Sequence, residues 1–106
     1  MIEATIKMTV PPEKRKEVLQ TLTLLLDVIR HERGCISCNC DVDVKAEEII
    51  LFREEWQSSE DLDTHRESGH FRVLIGLMTL LRKEPEITFN TIASTTEAEM
   101  ITAALA

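Results

Sequence analysis

A carboxylate, an indole and an imidazole stand close together along the chain at Glu54, Trp56 and His65. Glu54 and Trp56 are two residues apart at the end of an extended run, so their side chains leave the same face of a strand. His65 follows Ser58-Ser59-Glu60-Asp61, a helix-opening sequence, and stands three residues beyond Leu62. At that spacing Leu62 and His65 share one helical face. With Leu62 packed on the sheet, His65 faces it too, beside the strand end that carries Trp56. An imidazole titrates near neutrality and serves as a general base. Glu54 can orient that imidazole or accept a proton itself, and Trp56 and Asn39 offer neutral N–H donors for a developing oxyanion. Phe52, Leu62 and Phe71 supply apolar walls for a flat ligand. Each residue also has a plain structural reading. Trp56 can be core, Glu54 can pair with Arg53, Arg72 or Lys7, and Asn39 can be satisfied across the sheet or at a subunit contact. His65 can lie on a helix surface, His70 beside a helix start is structural, and His31 is solvated surface.

Three cysteines, Cys35, Cys38 and Cys40, raise the question of a metal or a redox pair. They lie in Cys-Ile-Ser-Cys-Asn-Cys-Asp-Val, which reads as a strand. Strict alternation puts Cys35 and Cys38 on opposite faces. Cys38 and Cys40 share a face about 6–7 Å apart, too far for a relaxed disulfide. The expectation is three reduced, structural thiols and no metal.

The elements that must position these groups follow from periodicity. Ile2 to Val10 alternates apolar and polar, a strand with one buried face. Pro11-Pro12 ends it. From Glu13 to Arg33, the residues Val18, Leu19, Leu22, Leu25, Leu26 and Ile29 make one helical stripe, and Gly34 stops the helix. Cys35–Val44 and Ile49–Gln57 form a hairpin. Ser58 caps a short helix to about Glu67, with Asp61 reaching back in a capping box. Ser68-Gly69 starts another helix with Phe71, Leu74, Ile75, Met78 and Leu81 on one face. Glu86–Ser94 is a fourth strand, and 97–106 is a weakly helical tail after a domain of residues 1–96. The order β-α-β-β-α-β predicts an α+β, ferredoxin-like fold.

An even-length turn at Lys45–Ala46 or Lys45–Glu48 would place Ser37, Asn39 and Asp41 on one face with Ile50, Phe52, Glu54 and Trp56. The third strand is apolar at both parities through Ile49, Ile50, Leu51 and Phe52, so both its faces need cover. The chain's own helices cover one. A second copy, sheet against sheet, is expected on the other.

Composition narrows the partners. One hundred and six residues make one domain, and 43% hydrophobic with 29% charged residues is an ordinary globular balance. A net charge of -7 repels phosphate backbones, so no nucleic-acid partner is expected. No apolar run reaches the ~20 residues of a membrane span. The opening Met-Ile-Glu-Ala-Thr lacks a signal-peptide pattern, which points to the cytoplasm.

The segment from His31 to Phe71 resembles the antibiotic biosynthesis monooxygenase family and its quinol monooxygenase relatives. The matching residues are Glu32-Arg33-Gly34-Cys35, Asp43, Glu54-Glu55-Trp56-Gln57-Ser58, His65 and Ser68-Gly69-His70-Phe71. The resemblance implies a dimeric α+β barrel and oxygenation of quinols or aromatic phenols without metal or flavin. Relatives often carry Tyr where Cys38 stands, and this chain has no Tyr. Haem-degrading relatives use an Asn, Trp and His set, whereas here His65 and Ile75 stand at the places of the last two. The leading expectation is a cofactor-independent monooxygenase acting through His65, Trp56, Asn39 and Glu54. The alternative is a non-catalytic homodimeric module that binds a small aromatic or apolar ligand.

Overall fold

The alternation of Ile2–Thr9 becomes strand β1, and its even-numbered side chains Ala4, Ile6 and Met8 are buried. A single 3-10 turn at Pro12–Lys14 leads into helix α1 (Arg15–Ile29). Then come β2 (Cys35–Val42), β3 (Ile49–Trp56), α2 (Ser59–Arg66), α3 (Gly69–Met78) and β4 (Glu86–Thr91). This computed structural model describes residues 1–93. The expected domain end at 96 and the tail 97–106 lie outside the described residues.

The sheet is antiparallel with strand order β2-β3-β1-β4, the ferredoxin-like α+β topology expected from the element order. The helices lie on one face. Val18, Leu22, Leu25 and Ile29 of α1, and Leu74 and Leu77 of α3, bury against Met8, Ile50, Phe52 and Trp56. Removing that apolar surface from water is the main stabilising term.

The helix boundaries have local causes. Ser58 Oγ accepts from Asp61 N at 3.2 Å and Ser68 Oγ accepts from Phe71 N at 3.2 Å, so both short helices are N-capped. The expected capping box is only half formed. The Asp61 carboxylate accepts from the Ser58 hydroxyl at 3.0 Å, and no backbone N–H of Ser58 is engaged. Helix α1 ends at Ile29, four residues earlier than its periodicity suggests. Arg30 leaves the helix surface to donate from Nε to Cys38 O at 2.8 Å.

Two features of β2 correct the expected faces. Asp43 lies opposite Ile49 beyond the Val42–Ile50 pair, so the turn inside that closing pair is the odd-length segment 44–48. Asp43 N donates to Ile49 O at 3.0 Å, and Asp43 Oδ1 accepts from Lys45 N and Ala46 N at 2.8 and 3.0 Å. Cys38 therefore pairs with Glu54, Cys40 with Phe52 and Val42 with Ile50, and these share the helix-covered face. Asn39 pairs with Arg53 and Asp41 with Leu51 on the open face. A bulge at Ile36 then shifts the register between Cys35 and Ser37, so Cys35 lies opposite Trp56. Cys35 and Cys38 thus face the same side, contrary to simple alternation. All three thiols pack at the core.

The open face divides β3 as its sequence implies. Ile50 and Phe52 are buried under the helices, whereas Ile49 and Leu51 are half-buried on the uncovered side. Around them the open face is polar. Ser37 donates to Glu55 at 2.5 Å, Arg53 pairs with Asp41, and Arg30 reaches Asn39.

Candidate functional site

His65 is where the sheet, the α1–β2 corner and the α2–α3 arm meet. Its ring is fully enclosed, with Nδ1 2.7 Å from Glu32 Oε2 and Nε2 2.9 Å from Glu54 Oε2. The Nδ1 contact is a well-formed hydrogen bond. The Nε2 contact is close in distance but off in angle, so it is a charge contact rather than an aligned hydrogen bond. Trp56 stacks on one side of the imidazole with ring centroids 4.6 Å apart and 28° between planes. Phe71 meets it edge-on at 5.6 Å and 75°. These contacts fix the ring in position, tilt and hydrogen-bond direction.

The local sequence explains the placement. The Ser58 cap sets α2 immediately after Trp56, and Leu62 and His65 are the two buried residues of that helix. Glu32 comes from the other side through a tight corner. Gly34, at φ 81°, turns the chain so that its carbonyl accepts from Gln57 N at 2.9 Å. The Gly34 Cα lies hard against Asp61, where a Cβ would come within 2.1 Å of Asp61 Cγ. The α1–β2 corner is thereby locked to the start of α2, and Glu32 to His65.

The electrostatics follow. Burial disfavours the imidazolium, but the contact with Glu54 and the second carboxylate of Glu32 outweigh it, and the His65 pKa is raised. Burial raises the Cys35 thiol to about 11, with Glu54 and Glu32 adding to it. Burial, then Glu54, pushes Cys38 up as well. Both thiols are neutral and poorly nucleophilic at neutral pH. The two carboxylates sit against opposite nitrogens of one ring and do not converge on a common point, which is not a metal-ligand arrangement. Among the described residues no other group of His, Cys, Asp and Glu converges either.

Glu54 and His65 form the polar floor of a cleft between the sheet and the α2–α3 arm. Its walls are Ala4, Ile6, Leu62, Phe71, Ile75 and Met78, with Arg66 at one side and Ile87 and Phe89 of β4 at the outer lip. Glu54 Oε2 is buried there without an aligned partner. The cleft holds ≈ 40 Å³, less than the ~150 Å³ of a cavity that accepts a benzene-sized ligand. Ile75, Ile87 and Phe89 are 42%, 47% and 55% exposed, so the lip of the cleft is less tightly enclosed than its core-side walls.

Of the residues singled out in the sequence, His65, Glu54, Leu62 and Phe71 border this cleft, and Trp56 backs the imidazole. Phe52 is buried in the core and does not line the cleft. Asn39 is on the far face, where its amide oxygen accepts from Arg30 Nη2 at 3.3 Å. It therefore offers nothing to a ligand in the cleft. Glu32 was missed as the partner of His65. Its signals were its place before Gly34 at the helix-to-strand corner and its presence in the Glu32-Arg33-Gly34-Cys35 match. His70 Nδ1 lies 3.9 Å from Glu32 Oε1, next to the site rather than in it.

The family model for antibiotic biosynthesis monooxygenase matches residues 1–76. A curated uncharacterized protein of Synechocystis sp. is 31% identical over 87 residues, 81% of this chain and 59% of that protein. The chain thus spans about three-fifths of the length of that relative. A conserved protein from Methanosarcina mazei Go1 superposes with a TM-score of 0.79 at 32% identity, over 84% of this chain and 89% of that one. A crystal structure of an antibiotic biosynthesis monooxygenase, 24% identical, superposes with a TM-score of 0.80 over 89% of this chain and all of its own, a likeness of fold.

Proposed function

The chain belongs to the antibiotic biosynthesis monooxygenase family, and on that footing we propose that it oxygenates a quinol or aromatic phenol in the cleft above Glu54 and His65. The observation that carries this reading is the 2.9 Å contact between those two side chains at the floor of an otherwise apolar space. A neutral aromatic ring is held by the walls, and its hydroxyl meets an acceptor in a site with little water. Removing the hydroxyl proton makes the ring electron-rich enough to reduce dioxygen. For a dihydroxyarene, one oxygen atom enters the ring and the other leaves as water. The substrate itself supplies all four electrons in becoming a hydroxyquinone. The protein supplies orientation, a proton acceptor and exclusion of water.

We also infer a homodimer joined through the open sheet face, with Ile49 and Leu51 at its centre. Two half-buried apolar side chains on an otherwise polar, internally paired face support that reading.

A second reading, a non-catalytic module for a small apolar ligand, is favoured by the narrowness of the cleft and the complete enclosure of the imidazole. Oxygen uptake against a panel of hydroquinones and anthrones, with metal removed from the buffer, separates the two. Turnover with any of them supports the oxygenase. Saturable binding with no oxygen uptake across the panel leaves the binding module.

A further inference from the structure

The enclosed imidazole has a carboxylate on each nitrogen, and only one of the two faces the cleft. Glu54 comes from β3 and lines the cleft floor, with Oε2 lacking an aligned partner. Glu32 comes from the α1–β2 corner, is not among the cleft walls, and keeps 17% of its side chain exposed. We propose that Glu32 is the positioning residue of this site: it keeps His65 doubly protonated, so that the proton acceptor offered to the cleft is the Glu54 carboxylate and not the imidazole.

The geometry supports this assignment from every side of the ring. Glu32 Oε2 at 2.7 Å from Nδ1 is an aligned acceptor, and an acceptor there requires a hydrogen on that nitrogen. Glu54 Oε2 at 2.9 Å from Nε2 faces the other nitrogen, and two oxygens with negative charge are best met by two N–H groups. Trp56 lies against the ring face, and an aromatic face favours a cation. From β2, Cys35 and Cys38 contribute neutral thiols. Arg66, next along α2, is turned to Asp63 and the cleft side. His70 of α3 lies against the other oxygen of Glu32, not against His65. Among the described residues the imidazolium is the charged group in contact with Glu54; it meets Oε2 off-line, which leaves the hydrogen-bonding capacity of that buried oxygen unfilled on the cleft side. Glu32 does not line the cleft and reaches it through His65.

This assignment rests on the oxygenase reading for its chemistry, but its first test does not. Imidazole nitrogen shifts from ¹⁵N NMR report the charge of His65 directly. In the unmodified protein His65 is expected as imidazolium at pH 7. In Glu32→Gln, nearly the same shape without the charge, its midpoint falls by about one to three pH units. Glu32→Asp retains part of the elevation. A neutral His65 at pH 7 in the unmodified protein, or an unmoved midpoint in Glu32→Gln, overturns the proposal. Where a hydroquinone is turned over, activity is expected to fall as pH rises through the His65 midpoint, and that alkaline limb moves down in Glu32→Gln. Activity that instead rises as His65 loses its proton makes the imidazole the acceptor and overturns the proposal. If neither a hydroquinone nor an anthrone is turned over, the oxygenase reading fails, while the nitrogen shifts still decide the role of Glu32.

Discussion

His65 lies against Trp56 with ring centroids 4.6 Å apart, and Trp56 is the chain's single tryptophan. The fluorescence of the whole protein therefore reports on one imidazole. An imidazolium in stacking contact quenches an indole more strongly than a neutral imidazole. Emission is expected to rise with pH through a midpoint above 6.5. His65→Phe should abolish that step and leave a flat profile. A midpoint at or below 6.5, or a step that survives His65→Phe, contradicts the described environment.

The same imidazole makes folding stability depend on pH. Its folded-state pKa is raised above the ordinary 6.5. The stabilisation from its charge is thus fully present below 6.5 and lost as pH rises through the folded value. Urea unfolding should show stability declining as pH rises above 6.5 and levelling once the folded value is passed. The buried thiols add a similar decline only near and above their ordinary value of 9.0. Replacing His65 by Gln should remove the lower decline and keep the upper one. Stability that rises across the lower window is the opposite sign and excludes the assignment.

Gly34 combines a left-handed backbone with contact against Asp61. Gly34→Ala adds both a strained φ and a clash, at a cost of about 1–3 kcal/mol. For a domain of this size the thermal midpoint should drop by roughly 5–15 °C. Because the corner also carries Glu32, the His65 midpoint should shift with it. An unchanged melting curve would show that the corner opens without penalty.

The proposed dimer is tested on the open face. A lysine at Ile50 or Phe52 enters the core under the helices and unfolds the chain whatever its oligomeric state. Leu51→Lys projects from the uncovered side instead. It is expected to convert a dimer to a folded monomer, seen as a halved mass by light scattering with unchanged far-ultraviolet dichroism. A monomeric mass for the unmodified protein at micromolar concentration removes the dimer.

Much of this arrangement is legible from residue spacing, because alternation, helical stripes and the two serine caps are local signals. Leu62 and His65 share a helical face, and β3 carries Glu54 and Trp56 on one side, as their numbers imply. The faces of β2 are not recoverable that way. They depend on the odd-length turn closed by Asp43 and on the bulge at Ile36, each of which reverses parity. That is why Asn39 is absent from the site and Cys35 joins Cys38 on the core side. Glu32 illustrates a different limit. Its pairing with His65 spans 33 positions and exists only because Gly34 locks one corner to another helix.

In the proposed function a ligand binds above the Glu54–His65 floor, between the sheet and the α2–α3 arm. Methyl and indole NMR spectra recorded during titration with a hydroquinone test it most directly. Shifts are expected at Ile75, Met78, Ile87 and the Trp56 indole, with Ile49 and Leu51 unmoved. Shifts confined to Ile49 and Leu51, or to the end of β1 around Val10, would contradict it.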